Sequence, residues 1–256
     1  MTARAAWRGL VLAITILITW LRFSSTSIKA WFLGRPVSSR ERAEWMSFCG
    51  RLALSALGIG LRIEGAIPTG PTLIVANHLS YLDIAIGGAA LPCAFVAKRE
   101  VGSWPVFGPL SKMGGNIFVD RDSPIRSWET AAEMALRLEE NIPVLLFPEG
   151  TSTDGIEVLR FHSSLFDPAI DRRLQVVPAA IFYETTAPQT ERDLCWFGDE
   201  PFLPNLLRLL DANLFTVVMR FGHPEVFPDR RTAAWRTHDA IEIMRNSRPK
   251  SPCPIE

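Results

Sequence analysis

Six short apolar runs, each closed by turn residues, constrain this chain more than any other feature: 72–76 (TLIVA), 94–97 (AFVA), 116–119 (NIFV), 144–147 (VLLF), 175–182 (QVVPAAIF) and 215–221 (FTVVMRF). Continuous apolar runs of this length, rich in Val, Ile and Phe, read as strands buried on both faces. Helical stretches lie between several of them. The clearest covers 124–140, with Ser123 as N-cap and Pro124 at the first helical position. Its Ile125, Trp128, Ala132, Ala135 and Leu138 recur at helical spacing, which predicts one stripe facing a core. Residues 229–245 read as a second long helix, and Gly58-Ile59-Gly60 as a loop. The alternation predicts an α/β fold with a mainly parallel sheet flanked by helices. With 256 residues, 48% of them hydrophobic, the chain has core enough for one such domain. The expected division is an N-terminal membrane-associating helical segment, 1–60, and an α/β domain, 61–256.

The first segment differs in kind. Residues 10–21 (LVLAITILITWL) lie between Arg8 and Arg22. As a helix they span ~18 Å, short of the ~30 Å hydrocarbon core. Trp7, Trp20 and Trp31 recur near the ends. The basic, aromatic flanks favour an interfacial or half-inserted helix followed by a second amphipathic one. A tilted span, a cleaved signal peptide and a buried core helix are the alternatives. The formal net charge of zero conceals an asymmetry: residues 1–62 hold nine Lys+Arg against two Asp+Glu, and the remainder 18 against 25. A basic apolar head on an acidic body argues against nucleic-acid binding and suits an anionic membrane surface. Four scattered cysteines without a C-x-x-C pair argue against a disulfide scaffold or zinc ribbon and fit a reducing compartment. Association with the cytoplasmic face of the cell membrane is the expected location.

Parallel strands end on one edge, where ligands bind. The 72–76 run leads into Asn77-His78-Leu79-Ser80-Tyr81-Leu82-Asp83, the 116–119 run into Asp120-Arg121, and the 144–147 run into Pro148-Glu149-Gly150-Thr151. A histidine, an arginine and a glutamate each emerge past a strand end. With Ser80 as N-cap and Asp83 at N3, His78 sits in the approach loop and can fold back towards Asp83. Such a pair fixes the imidazole tautomer and leaves the other nitrogen as a base. The bland readings stand beside it: Asp83 only capping a helix, Arg121 solvated, Glu149 a helix cap, Thr151-Ser152-Thr153 plain loop. The four histidines form no ligand pair at helical spacing, so no metal or other cofactor is expected.

Four blocks occur in order: N-H-x-x-x-x-D (77–83), G-N-I-F-V-D-R (115–121), F-P-E-G-T (147–151) and V-V-P (176–178). Together they resemble the blocks of the glycerolipid acyltransferases, typified by 1-acylglycerol-3-phosphate acyltransferases, over about residues 70–185. The resemblance implies an O-acyltransferase moving a fatty acyl group from acyl-CoA or acyl-carrier protein to a lysophospholipid hydroxyl, giving phosphatidic acid. It implies His78 as base, Asp83 as its partner, Arg121 at the acceptor phosphate, and Glu149 with Gly150 as the acceptor-binding block. One departure matters. The family usually continues with F-K-x-G-x-F, whereas this chain reads Phe161-His162-Ser163-Ser164-Leu165-Phe166, leaving Arg160 to compensate for the lysine. That run, with Trp196-Phe197-Gly198-Asp199, resembles the lyso-ornithine lipid acyltransferase branch. The rival class is a lipid serine hydrolase, but neither Ser80 nor Ser164 lies in a G-x-S-x-G elbow.

Overall fold

The computed structural model describes residues 2–119 and 124–247. Seven strands form one sheet: β1 (Gly60–Glu64), β2 (Thr72–Ala76), β3 (Ala94–Lys98), β4 (Ile117–Val119), β5 (Val144–Leu146), β6 (Gln175–Glu184) and β7 (Thr216–Phe221). Their order across the sheet is β1-β7-β6-β2-β5-β3-β4. All neighbours are parallel except β6 and β7. The sheet is therefore mainly parallel, as expected, with β1 and β7 reversed. The 58–60 stretch is a correction. The loop ends at Ile59: Gly58 is the left-handed C-cap of a helix, and Gly60 opens edge strand β1, a five-residue strand whose Leu61 and Ile63 pack against the core between exposed or half-exposed neighbours.

The helices are α1 (Ala3–Phe32), α2 (Ser39–Leu57), α3 (Leu82–Ala90), α4 (Phe107–Met113), α5 (Pro124–Glu139), the single turn α6 (Asp167–Ile170), α7 (Phe202–Asp211) and α8 (Arg230–Asn246). They divide the core into two layers. Ile74, Phe95, Leu145 and Val177 face α2 and α3 through Trp45 and Ile86. Leu73, Val144, Leu146 and Val176 face α5 and α8 through Met134, Leu138 and Ile241. Helices α2 and α3 touch backbone to backbone: a Cβ at Gly50 would lie 2.4 Å from the Ala85 carbonyl oxygen.

Two expectations about α5 need revision. Trp128 is 73% exposed and Ala132 is exposed, while Thr130, Met134, Ala135 and Leu138 are buried. The buried stripe thus lies slightly round the helix from the one that counts Trp128. Ser123 lies outside the described residues.

α1 is one 30-residue helix, longer than its apolar centre, and it is long and apolar enough to cross a membrane. Its polarity is inside out. Ala5, Arg8, Thr15, Thr19 and Ala30 face the protein, while Leu10, Ile14, Leu17, Leu21, Ile28 and Trp31 are exposed. The Arg8 guanidinium donates to the carbonyls of Leu210 and Ala212 at the end of α7. Trp45 of α2 donates its indole N–H to the Thr19 carbonyl at 2.9 Å. Phe23 packs edge-on against Trp45, so α1 is held against the body along much of its length.

Candidate active site

β2 ends at Ala76, but β6 runs on beside the loop that follows. Asn77 bridges the gap. Its side-chain oxygen accepts the Ile181 N–H at 2.8 Å, and its amide donates to the Ile181 carbonyl at 3.0 Å. A side chain thereby continues the ladder by one rung while the backbone turns out. His78 projects from that turn.

The His78 Nδ1 lies 2.8 Å from Asp83 Oδ2. The same oxygen accepts the Leu79 and Ser80 backbone N–H groups at 2.6 and 3.0 Å. Capping and imidazole binding, separate readings of Asp83 in the sequence, are performed by one carboxylate. The other half of the expected capping box differs: Ser80 Oγ accepts from Leu82 N, and α3 begins at Leu82. Asp83 is fully buried, and its Oδ1 accepts the Tyr183 hydroxyl at 2.7 Å. The imidazole stacks on Phe147 with 4.3 Å between centroids. With Nδ1 donating to Asp83, Nε2 is the ring's basic nitrogen.

Glu149 fixes the backbone of this loop. One oxygen accepts the His78 N–H at 2.7 Å and the other the Leu159 N–H at 2.8 Å. It is 4% exposed, and burial raises its pKa to about 7 against the lowering effect of those two donors. Gly150 follows with φ +81°, a conformation that suits glycine at the tight F-P-E-G-T turn. Thr153 N–H closes the arrangement by donating to the His78 carbonyl at 2.9 Å.

His78 opens onto a cavity of about 670 Å³. Its wall carries Gly150, Thr151 and Ser152 near the histidine, then Trp104, Phe107 and Leu110, and reaches α1 and α2 at Thr15, Thr19, Met46 and Cys49. The arrangement offers the His78 imidazole on the wall of a mostly apolar chamber that also reaches α1 and α2.

An acyltransferase family model matches residues 59–182. Over 208 residues the chain is 34% identical to the 1-acyl-sn-glycerol-3-phosphate acyltransferase of Neisseria gonorrhoeae, covering 80% of each. The chain belongs to the acyltransferase family. This acyltransferase is also 34% identical, over 204 residues, to the lyso-ornithine lipid O-acyltransferase of Rhodobacter capsulatus, covering 75% of this chain and 72% of that one. Its fold matches the crystal structure of the 1-acyl-sn-glycerophosphate acyltransferase of Thermotoga maritima, with a TM-score of 0.64 over 95% of this chain and all of that one. The two are 17% identical, and the likeness is one of fold.

The acyltransferase brings together five of the seven residues singled out from sequence: His78, Asp83, Glu149, Gly150 and Thr151. Arg121 lies outside the described residues. Arg160 is exposed and is not on the cavity wall. Three further wall residues are not among those singled out as site residues, although Trp196 belongs to the run that resembles the lyso-ornithine branch and Tyr81 lies within the 77–83 block. Lys98, at the end of β3, is the one lysine or arginine on the wall among the described residues. Tyr81 and Trp196 meet edge to face at 5.6 Å, and the Trp196 backbone N–H donates to the Leu79 carbonyl, tying a distant loop to the His78 turn.

Proposed function

We propose that this acyltransferase transfers a fatty acyl group from an acyl thioester, carried by coenzyme A or carrier protein, to the hydroxyl of 1-acyl-sn-glycerol-3-phosphate, forming phosphatidic acid. The observation that carries the reading is the His78–Asp83 pair at the head of a cavity shaped for an apolar chain. His78 Nε2 takes the acceptor hydroxyl proton while Asp83 holds Nδ1–H and stabilises the imidazolium. The alkoxide attacks the thioester carbonyl, and its charge passes to the carbonyl oxygen. Backbone N–H groups of Thr151 and Ser152, beside the cavity, receive that oxyanion. Collapse re-forms the carbonyl and breaks the C–S bond; the thiolate recovers the proton from His78. Ester and thiol leave, with no covalent acyl-enzyme.

Lys98 is the cation placed to hold the acceptor phosphate, with Arg121 as the second by resemblance. A lyso-ornithine lipid is the alternative acceptor, favoured by Glu100 on the same wall, which suits an ammonium group. α1 lies in the membrane interface with the body on the cytoplasmic side. Its contacts with α2 and α7 hold it against the protein, so its outward apolar face meets lipid lengthwise.

The test is purified protein with lysophosphatidate or lyso-ornithine lipid, each with acyl-CoA and acyl-carrier protein, read by mass spectrometry. Acceptor-dependent thiol release with phosphatidic acid as product is expected. Fatty acid released without acceptor would instead identify a hydrolase.

A further inference from the structure

Asp83 is held from two directions, and only one belongs to its own loop. Oδ2 meets the His78 ring and two local N–H groups, whereas Oδ1 meets the hydroxyl of Tyr183, one hundred residues away in sequence. Tyr183 reaches it because β6 overshoots β2. Ala76, the last residue of β2, is paired with Ala179, and four further residues bring Tyr183 beneath the turn. The tyrosine is itself fixed. Its backbone N–H donates to Glu191 Oε1 at 2.9 Å, and Glu191 Oε2 is 3.0 Å from the buried Arg245 guanidinium of α8. Arg245 also donates to the Ile181 and Gly155 carbonyls. Tyr183 is buried and is not on the cavity wall.

We propose that Tyr183 is a positioning residue: it orients Asp83 and sets how strongly that carboxylate stabilises protonated His78. The proposal rests on His78 being the base. Burial, with Asp83 alongside, holds the phenol well above its usual range, so it remains a donor at working pH. A phenolic O–H shared with a carboxylate withdraws part of its charge. Without it, more charge falls on Oδ2, the imidazolium is held more tightly, and the acid limb of the pH–rate profile moves upward. The carboxylate also loses its outer restraint, so turnover falls while substrate binding is spared.

The charged and titratable groups nearby are Glu149, Glu191, Cys195 and Arg245, with Lys98 and Glu100 on the cavity wall. Each is retained in Tyr183→Phe, so a change in the profile reports the hydroxyl. In the full-length Tyr183→Phe variant, kcat is expected to fall about fivefold or more with KM within about twofold, and the acid limb of kcat/KM to rise by roughly half a pH unit. Side-chain 15N NMR of His78 should show the same displacement. A purely structural tyrosine would lower the melting temperature and leave the limb in place; that outcome overturns the proposal, as does an unchanged kcat. A variant that fails to fold is replaced by 3-fluorotyrosine in a Tyr81→Phe background, since the chain has two tyrosines. The stronger donor is expected to move the limb to lower pH, and an unmoved limb overturns the proposal. Retention of transfer by His78→Ala would sink the base assignment itself, a result separate from anything Tyr183→Phe reports.

Discussion

The two ends of the cavity are built on opposite rules. At the sheet edge the side chains are polar, buried and hydrogen-bonded: Asn77 to Ile181, Asp83 to three donors of its own loop and to Tyr183, Glu149 to two backbone N–H groups. At the far end, α1 shows its large aliphatic residues to the outside and turns Thr15 and Thr19 inward. The sheet edge follows the logic of a protein interior, where a buried polar atom without a partner costs ~1–3 kcal/mol. The helix follows the logic of a lipid boundary, where burying leucine inside the protein gains nothing over leaving it outside. Under the proposed function, the cavity that joins them is the apolar path for a long acyl chain.

His78→Ala breaks the comparison on one side only. Transfer is expected to fall ~100-fold or more, measured as phosphatidic acid formed per unit thioester, because general-base catalysis is lost. Vesicle co-sedimentation should be unchanged, since α1 is untouched. A variant keeping more than about a tenth of wild-type turnover would mean that the dyad is not the base system.

The converse substitution acts on the other side. Leu17→Asp with Leu21→Asp places charge on two exposed positions of α1. At ~2.5–3.5 kcal/mol per fully inserted charge, and less at an interface, vesicle affinity is expected to drop at least tenfold. Melting temperature should hold within a degree or two, and turnover on detergent-dispersed lysolipid should be kept. Equal vesicle binding would make α1 an ordinary soluble helix whose apolar face is incidental.

Legibility in the sequence follows the same divide. Strand ends, and the chemistry just past them, were readable because turn residues and short motifs are local. His78, Asp83 and Glu149 fall together because parallel strands finish on one edge. β1 was missed because its apolar signal is two alternating residues, Leu61 and Ile63, in a five-residue edge strand, and the direction of β7 because strand polarity leaves no local trace. α5 misled because Trp128 is apolar yet solvent-facing, so counting it rotates the stripe. The inward polar face of α1, with Thr15 and Thr19, was not legible because the 10–21 run was read only by its length and its basic, aromatic flanks. Tyr183 carried no signal at all: a tyrosine late in an apolar strand announces core, and only the overshoot of β6 makes it a partner of Asp83.

Glu149 sharpens the polar side. Its folded-state pKa of about 7 lies above the ordinary 4.5, so the folded protein binds this proton more tightly than the unfolded chain. The associated stability is present in full below about pH 4.5 and is lost as pH rises through 7, amounting to a few kcal/mol at most. Glu149→Gln should abolish that component: between pH 4.5 and 8 the difference in melting temperature between wild type and variant is expected to shrink as the wild-type advantage disappears. The amide also turns an N–H towards one of the two backbone donors, so turnover should fall several-fold through loss of the His78 position. A difference independent of pH would show that Glu149 does not titrate in this range.

The smallest effects decide which cation reads the acceptor. The sequence offers Arg160 as a stand-in for the family lysine, but Arg160 is exposed and off the cavity wall, whereas Lys98 lies on it. Both side chains are exposed, so position separates them: a cation on the cavity wall reaches a phosphate seated there, in a contact that screening keeps to ~0–1 kcal/mol, and one off the wall does not. Lys98→Ala is therefore expected to raise KM for lysophosphatidate about fivefold, with little change for lyso-ornithine lipid, whose head group lacks that phosphate. Arg160→Ala should leave both constants within about twofold. The reverse ranking would mean that the 147–166 segment closes over the acceptor during turnover and carries Arg160 in with it, so the phosphate would be read from the opposite wall of the cavity.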